Sequence, residues 1–188
     1  AILDIDPTSI RALNALALLE LQSENFDASL GYIEKSLAID NDNATTWRIK
    51  GDLALAQQQL DAAIESYLKG YDIDPESPII KRSLVTGYLQ NQDIPSATEL
   101  LNNILSQTPD DPTATLLKAW LLAKDQNNEQ ASKELEKLSS NLAGLNEEAF
   151  RDDPSLIYLS ALSAFAQNNY QQAKTYFTQY LTFVPDNI

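Results

Sequence analysis

Neither cysteine nor histidine occurs among the 188 residues of this chain. Without cysteine there are no disulfides and no thiolate chemistry, and without histidine the commonest general base and most zinc sites are gone. A cysteine-free chain suits any compartment, so this absence assigns none. Methionine is missing as well, and the glycines number five, with no Gly-rich or Ser-rich linker to mark an internal boundary. Basic residues are scarce: 13 Lys and Arg stand against 27 Asp and Glu, a formal charge of −14. Nonspecific nucleic-acid binding needs a net basic footprint, so the balance argues against it. No apolar run approaches the ~20 residues that a helix needs to cross a bilayer.

What the chain does contain is a 34-residue period. Residues 10–43, 44–77 and 78–111 align without a gap, and further copies begin at Pro112 and Pro154. Apolar residues recur at three- and four-residue steps, the helical spacing. Two helical patterns per period predict a helix–turn–helix solenoid, in which each hairpin buries its apolar face only by stacking on its neighbours. The expected fold is therefore an all-α, right-handed superhelix of antiparallel helix hairpins, forming one array over 1–188. Its parts are the tail of a preceding repeat (1–9), three regular repeats (10–43, 44–77, 78–111), a repeat with an insertion (112–153) and a final repeat (154–187). Ala1–Pro7 resembles the helix ending at Gly70–Pro75, and Ile188 would begin another unit, so the chain reads as a fragment of a longer array.

Small residues mark two columns. The eighth position holds Ala17, Gly51, Val85, Ala119 and Ala161, and the twentieth holds Ser29, Ala63, Ala97, Ala131 and Ala173. These are expected where the two helices of a hairpin cross, with Trp47, Ile157, Tyr67 and Phe177 filling the volume beside the crossing. Pro78, Pro112 and Pro154 open units, where a missing N–H costs little. Pro95 follows Asp93, an expected N-cap. The fourth unit is eight residues too long, and Leu142, Leu145 and Ala149 recur there at helical spacing. An extended second helix or an additional short helix is expected over 141–150.

The stretch Trp47-x3-Gly51, Ala63-x3-Tyr67, Pro75 resembles the consensus of the tetratricopeptide-repeat (TPR) family, and the resemblance extends over essentially the whole chain. Three lysines depart from it: Lys50 and Lys118 at the seventh position and Lys81 at the fourth. They are expected at shallow sites, stems on apolar surface and ammoniums in water. Gly51-Asp52-Leu53, Leu116–Trp120 and Tyr158–Ala161 are similar to long bacterial arrays linked to exopolysaccharide export and exosortase-type sorting, which would place the protein in a bacterial periplasm, envelope or cytoplasm.

The family resemblance implies that first helices line a concave, ligand-binding face. Here the first 14 residues of the five units carry seven basic side chains (Arg11, Arg48, Lys50, Lys81, Arg82, Lys118, Lys124) against three acidic ones (Glu20, Asp52, Asp125), a local +4 in a −14 chain. Arg48 and Arg82 share the fifth position, with Tyr158 further along; Trp120 takes the ninth. Arginine forks pair well with carboxylates and aromatic anchors dominate many interfaces. The expected function is a non-catalytic scaffold that takes an acidic segment of a protein partner, using Arg11, Arg48, Asp52, Arg82, Trp120, Lys124 and Tyr158. The plainer role for the arginines is pairing with Asp52 and helix ends to tie repeats together. The alternative function is a spacer or self-assembly segment whose contacts use Leu142, Leu145 and Phe150. The carboxylate clamp of some TPR cochaperones is missing: Asn14 and Leu18 stand in the first unit and Lys81-Arg82 are adjacent in the third. Asp110-Asp111, Glu147-Glu148 and Asp152-Asp153 sit in joints and read as solvated charge and N-caps, not as catalytic pairs. No cofactor or metal is expected; Asp40–Asn43 has oxygen ligands but lacks the bend glycine of a calcium loop.

Overall fold

A computed structural model describes residues 8–184. Most of the expected leading tail, together with Pro185 and Ile188, lies outside the described residues. The described residues form eleven helices and no strand. They divide into two compact units, one ending at Leu100 and the other beginning at Leu101.

The first unit holds α1 (Ile10–Gln22), α2 (Phe26–Ile39), α3 (Ala44–Ala56), α4 (Leu60–Ile73), α5 (Pro78–Gln90) and the start of α6 (Ile94–Gln107). The second holds the rest of α6, then α7 (Pro112–Lys124), α8 (Asn128–Ala143), α9 (Glu147–Asp152), α10 (Ser155–Ala166) and α11 (Tyr170–Phe183). Within the first unit α1 pairs with α2 and α3 with α4, and α2 and α4 each pack on the first helix of the next hairpin. First helices also meet side by side, α1 with α3 and α3 with α5. The second unit repeats this plan: α7 pairs with α8, α10 with α11, and α7 and α8 both contact α10.

The small columns lie at the crossings. Ala17, Ser29, Ala63, Val85, Ala97 and Ala161 are all fully buried. Ser29 Oγ donates to the Ala17 carbonyl at 2.8 Å, so the one hydroxyl in its column is satisfied across the hairpin. In the second repeat Gly51 lies under the Tyr67 ring. A β-carbon there would stand 2.3 Å from Tyr67 Cε1, so any larger residue at this crossing requires the ring to shift. Ala17, Ile33, Ile49 and Leu53 form a buried cluster flanked by Leu18, Leu21, Phe26, Tyr32 and Leu37. Burying each large aliphatic of that cluster contributes about 1.5–3 kcal/mol. Trp47, Tyr67 and Ile157 are buried beside their crossings, while Phe177 is half-buried.

Each hairpin turns through a three-residue link whose middle residue is left-handed: Glu24, Gln58, Gln92, Gln126 and Asn168, with φ between 58° and 62°. The N–H of the next residue reaches back five positions, as from Gln59 to the Ala54 carbonyl at 2.8 Å and from Asn169 to the Ala164 carbonyl at 2.9 Å. This is the Schellman closure of a helix end, built here five times without glycine.

The insertion takes both expected forms. α8 runs 16 residues where α2, α4, α6 and α11 run 14, and the six-residue α9 is added after it. Asn146 caps α9 by accepting from the Ala149 N–H at 2.9 Å. Asp93 and Asp111 cap α6 and α7 by accepting from Ser96 and Ala114.

One lysine departs from expectation. Lys81 is not at a shallow site: it is 1 % exposed and its ammonium lies 3.3 Å from the Glu76 carboxylate. Its position in the first turn of α5, where α4 packs on α5, puts the stem inside the layer, and the carboxylate comes from the preceding turn. Lys50 and Lys118 are half-buried. Lys50 sits over the Trp47 ring at 4.8 Å, and Lys118 pairs with Glu134 at 2.7 Å.

Candidate functional site

Arg11, Arg48, Asp52 and Arg82 lie in the first unit, on the first helices α1, α3 and α5; Trp120, Lys124 and Tyr158 lie in the second, on α7 and α10. Arg11 is exposed and Arg82 half-buried.

Arg48 and Asp52 are one helical turn apart on α3 and form an ion pair through Arg48 Nη1 and Asp52 Oδ2. Tyr67, from α4, donates its hydroxyl to the other carboxylate oxygen, Asp52 Oδ1, at 2.8 Å. Burial holds the Asp52 carboxyl above the ordinary carboxylate range, a push that Arg48 and Tyr67 oppose without cancelling. Burial, with the Asp52 charge beside it, also raises the Tyr67 phenol, which therefore stays protonated and able to donate. Only one arm of the Arg48 guanidinium is used in this pair among the described residues, and its side chain keeps 17 % exposure. The result is an arginine fork held at one end by its own helix, with no other hydrogen bond among the described residues.

Next to it, Trp47 is clamped. Its indole Nε1 donates to the Asn41 carbonyl at 2.7 Å, and the ammoniums of Lys50 and Lys69 lie 4.8 and 4.7 Å from its ring. Lys69 also pairs with Glu65 at 2.8 Å, which lowers the Glu65 pKa.

In the second unit Trp120 is 48 % exposed, with the Lys124 ammonium 5.2 Å from its ring. Tyr158 is 42 % exposed and packs T-shaped against Phe177 and tilted against Tyr180, with centroids 5.8 and 5.3 Å away. Phe165 and Tyr170, which the sequence reading passed over, form an exposed edge-on pair across the α10–α11 turn at 5.6 Å. Leu142 is 4 % exposed, which leaves Leu145 and the half-buried Phe150 as the apolar groups the insertion turns outward.

Sequence reasoning also missed a buried polar network at the first junction. Thr46 Oγ1 donates to Asn14 Oδ1 at 3.0 Å and lies 2.9 Å from Ser36 Oγ, joining α1, α2 and α3. The available signal was Asn14 at the fifth position, in the same column as Arg48 and Arg82.

Among the described residues no three His, Cys, Asp or Glu side chains converge as a metal site, and no helix is long and apolar enough to cross a membrane. In the first unit the first helices carry Arg11, Arg48 and Arg82, and in the second they carry the exposed Trp120 and Tyr158. The model of the cytochrome c-type biogenesis protein H TPR domain matches residues 33–149. The chain belongs to this TPR family. No curated protein matches its sequence. Among solved structures, this TPR chain is similar to pilF of Pseudomonas aeruginosa, with 22% identity, TM-score 0.66 and coverage of 98% of this chain and 81% of that one. It is similar to YrrB, described as a TPR protein with an unusual peptide-binding site (14%, TM-score 0.61, 99% and 92%). A thermophilic TPR protein of Thermus thermophilus, TTC0263, is a third (15%, TM-score 0.69, 95% and 93%). At these identities the likeness establishes the fold, a tetratricopeptide solenoid.

Proposed function

We propose that this TPR array is a non-catalytic scaffold that binds an acidic segment of a partner protein on the face built by its first helices. The observation that carries the reading is the Arg48 fork, fixed by Asp52 and Tyr67 yet open on its other donors. A guanidinium already ordered loses less freedom when it engages a carboxylate, and pairing with carboxylates is what its geometry suits. Arg11 and Arg82 lie on the neighbouring first helices and add positive potential to the same face. Within the second unit, Trp120, with Lys124 against it, and Tyr158 are aromatic groups of the kind that anchor apolar parts of a protein partner. The peptide-binding site described for YrrB supports this use of the fold.

The process served, on this reading, belongs to a bacterial envelope system. The family's name weighs toward c-type cytochrome biogenesis over exopolysaccharide export. A spacer or self-assembly role draws less support, because the burial of Leu142 reduces the apolar surface the insertion offers.

The test is titration of the protein with a fluorescent oligo-glutamate peptide at low and high salt, beside an Arg48→Gln/Arg82→Gln variant. Binding that weakens at least tenfold in the variant and falls with salt is the expected result. Equal binding by the variant and the parent chain sinks the reading.

A further inference from the structure

Where α8 meets the next hairpin, the chain departs from its own pattern. The twenty-eighth position of the repeat is Leu37, Tyr71, Leu105 and Leu181 in four units, but Ser139 in the fourth. The tenth position is Leu19, Leu53 and Leu121, with Gly87 beside Tyr67, but Ser163 in the last. In the first unit Leu37 packs on the cluster that contains Leu53. The corresponding meeting in the second unit is hydroxyl to hydroxyl, Ser139 Oγ and Ser163 Oγ at 3.1 Å. The Gln167 amide bridges them, donating to Ser139 Oγ at 2.7 Å and Ser163 Oγ at 3.2 Å. Beside this bridge, between α8, α10 and α11, a cleft of ≈ 270 Å³ opens. It falls at the junction that carries the eight-residue insertion.

The lining decides what the cleft can hold. Ser139, Ser140, Ser160, Gln167, Gln172 and Tyr176 present hydroxyl and amide groups, and no charged side chain lines it. A charged ligand would find no counter-charge, and a fully apolar one would strip water from these groups without replacing its hydrogen bonds. The capacities left open are of both kinds. The Gln167 NH2 is used within the protein, which leaves its Oε1 as an acceptor. The Tyr176 hydroxyl accepts from Gln172 Nε2 at 3.3 Å and retains its own proton to donate. The Ser140 hydroxyl, among the described residues, can do either. Donors and acceptors together suit a ligand whose own hydroxyls both donate and accept. The volume holds about nine waters at ~30 Å³ each, the space of one ring-sized molecule.

We propose that this cleft binds a neutral sugar residue or cyclic polyol, one ring at a time. The proposal does not rest on the protein-binding reading, although α10 contributes residues to the cleft as well as Tyr158.

The experiment is saturation-transfer NMR on the whole chain with glucose, galactose, N-acetylglucosamine and inositol, each at ~10 mM, enough to fill a site with a millimolar Kd. Glucuronate serves as the charged control. Ser139→Leu, which restores the residue type of its column, should abolish transfer from the neutral ligand that binds. Tyr176→Phe, which removes one donor at nearly constant volume, should weaken binding about tenfold, the loss of one hydrogen bond. That second variant keeps the test decisive if Ser139→Leu fails to fold. A di- or trisaccharide that binds more tightly than its monomer assigns the chain-linked form, and equal affinity assigns the free ring; both support the site. No transfer from any neutral ligand, or unchanged transfer in both variants, overturns it and leaves a water-filled gap.

Discussion

The Tyr67 ring occupies the space a side chain at Gly51 would need, with 2.3 Å between Tyr67 Cε1 and the position of a β-carbon on residue 51. The same ring reaches the next hairpin, where a β-carbon on Gly87 would be 3.5 Å from Cδ2, and its hydroxyl holds Asp52. One side chain thus couples a hairpin crossing, a repeat junction and the charged pair of the binding face.

Gly51→Ala should therefore destabilise the protein by about 1–3 kcal/mol, the usual cost of overpacking. Urea unfolding of Gly51→Ala, Tyr67→Leu and the double variant checks it. The double variant should lose markedly less than the two single losses added together, because the smaller residue at 67 vacates the space. Additive losses would mean the two residues do not compete.

The left-handed turns predict a gain. Gln58 has φ of 62°, a region that costs a side chain roughly 1–2 kcal/mol and glycine almost nothing. Gln58→Gly should raise stability, by up to about 1 kcal/mol after the added freedom of the unfolded chain is counted. Gln58→Val should lower it, since β-branching makes this region worse. The two substitutions moving the denaturation midpoint in the same direction would contradict the turn geometry.

Thr46→Val removes the hydroxyl at the centre of the first junction. Asn14 Oδ1 and Ser36 Oγ then lose a partner in a buried place, at a cost of about 1–3 kcal/mol. Thermal or urea denaturation measures it, and a change below a few tenths of a kcal/mol would show that water replaces the hydroxyl.

Asp52 should give an unusual pH dependence. Its carboxyl is raised in the folded protein, so the folded state holds this proton more tightly than the unfolded state does. Its contribution to stability is then largest below the unfolded value, about 3.9, and declines as pH rises through the folded value. Most paired carboxylates act in the opposite sense. Comparing unfolding free energies of the parent and Asp52→Asn chains across roughly pH 3–6 isolates the term. The asparagine still accepts from Tyr67, and the parent should lose ground to it as pH rises. A parent that gains on Asp52→Asn over that range would reverse the sign.

The repeat, its two small-residue columns and the site of the insertion were legible in the sequence because helical periodicity and chain length are local properties. Aligning Ala17 with Gly51 needs no coordinates, and a fixed spacing of two amphipathic helices admits few ways to bury their faces. The Arg48–Asp52 pair was legible for the same reason, being one turn apart on one helix. Tyr67 joining that pair was not, since its hydroxyl arrives from another helix and only packing sets the distance. Lys81 looked like a surface lysine until α4 was laid on α5. The five left-handed turns carry Glu, Gln or Asn where glycine is the usual sign, so composition concealed them. Ser139 and Ser163 stand 24 residues apart, and their conversion of an apolar junction into a polar cleft follows only from the stacking of one hairpin on the next.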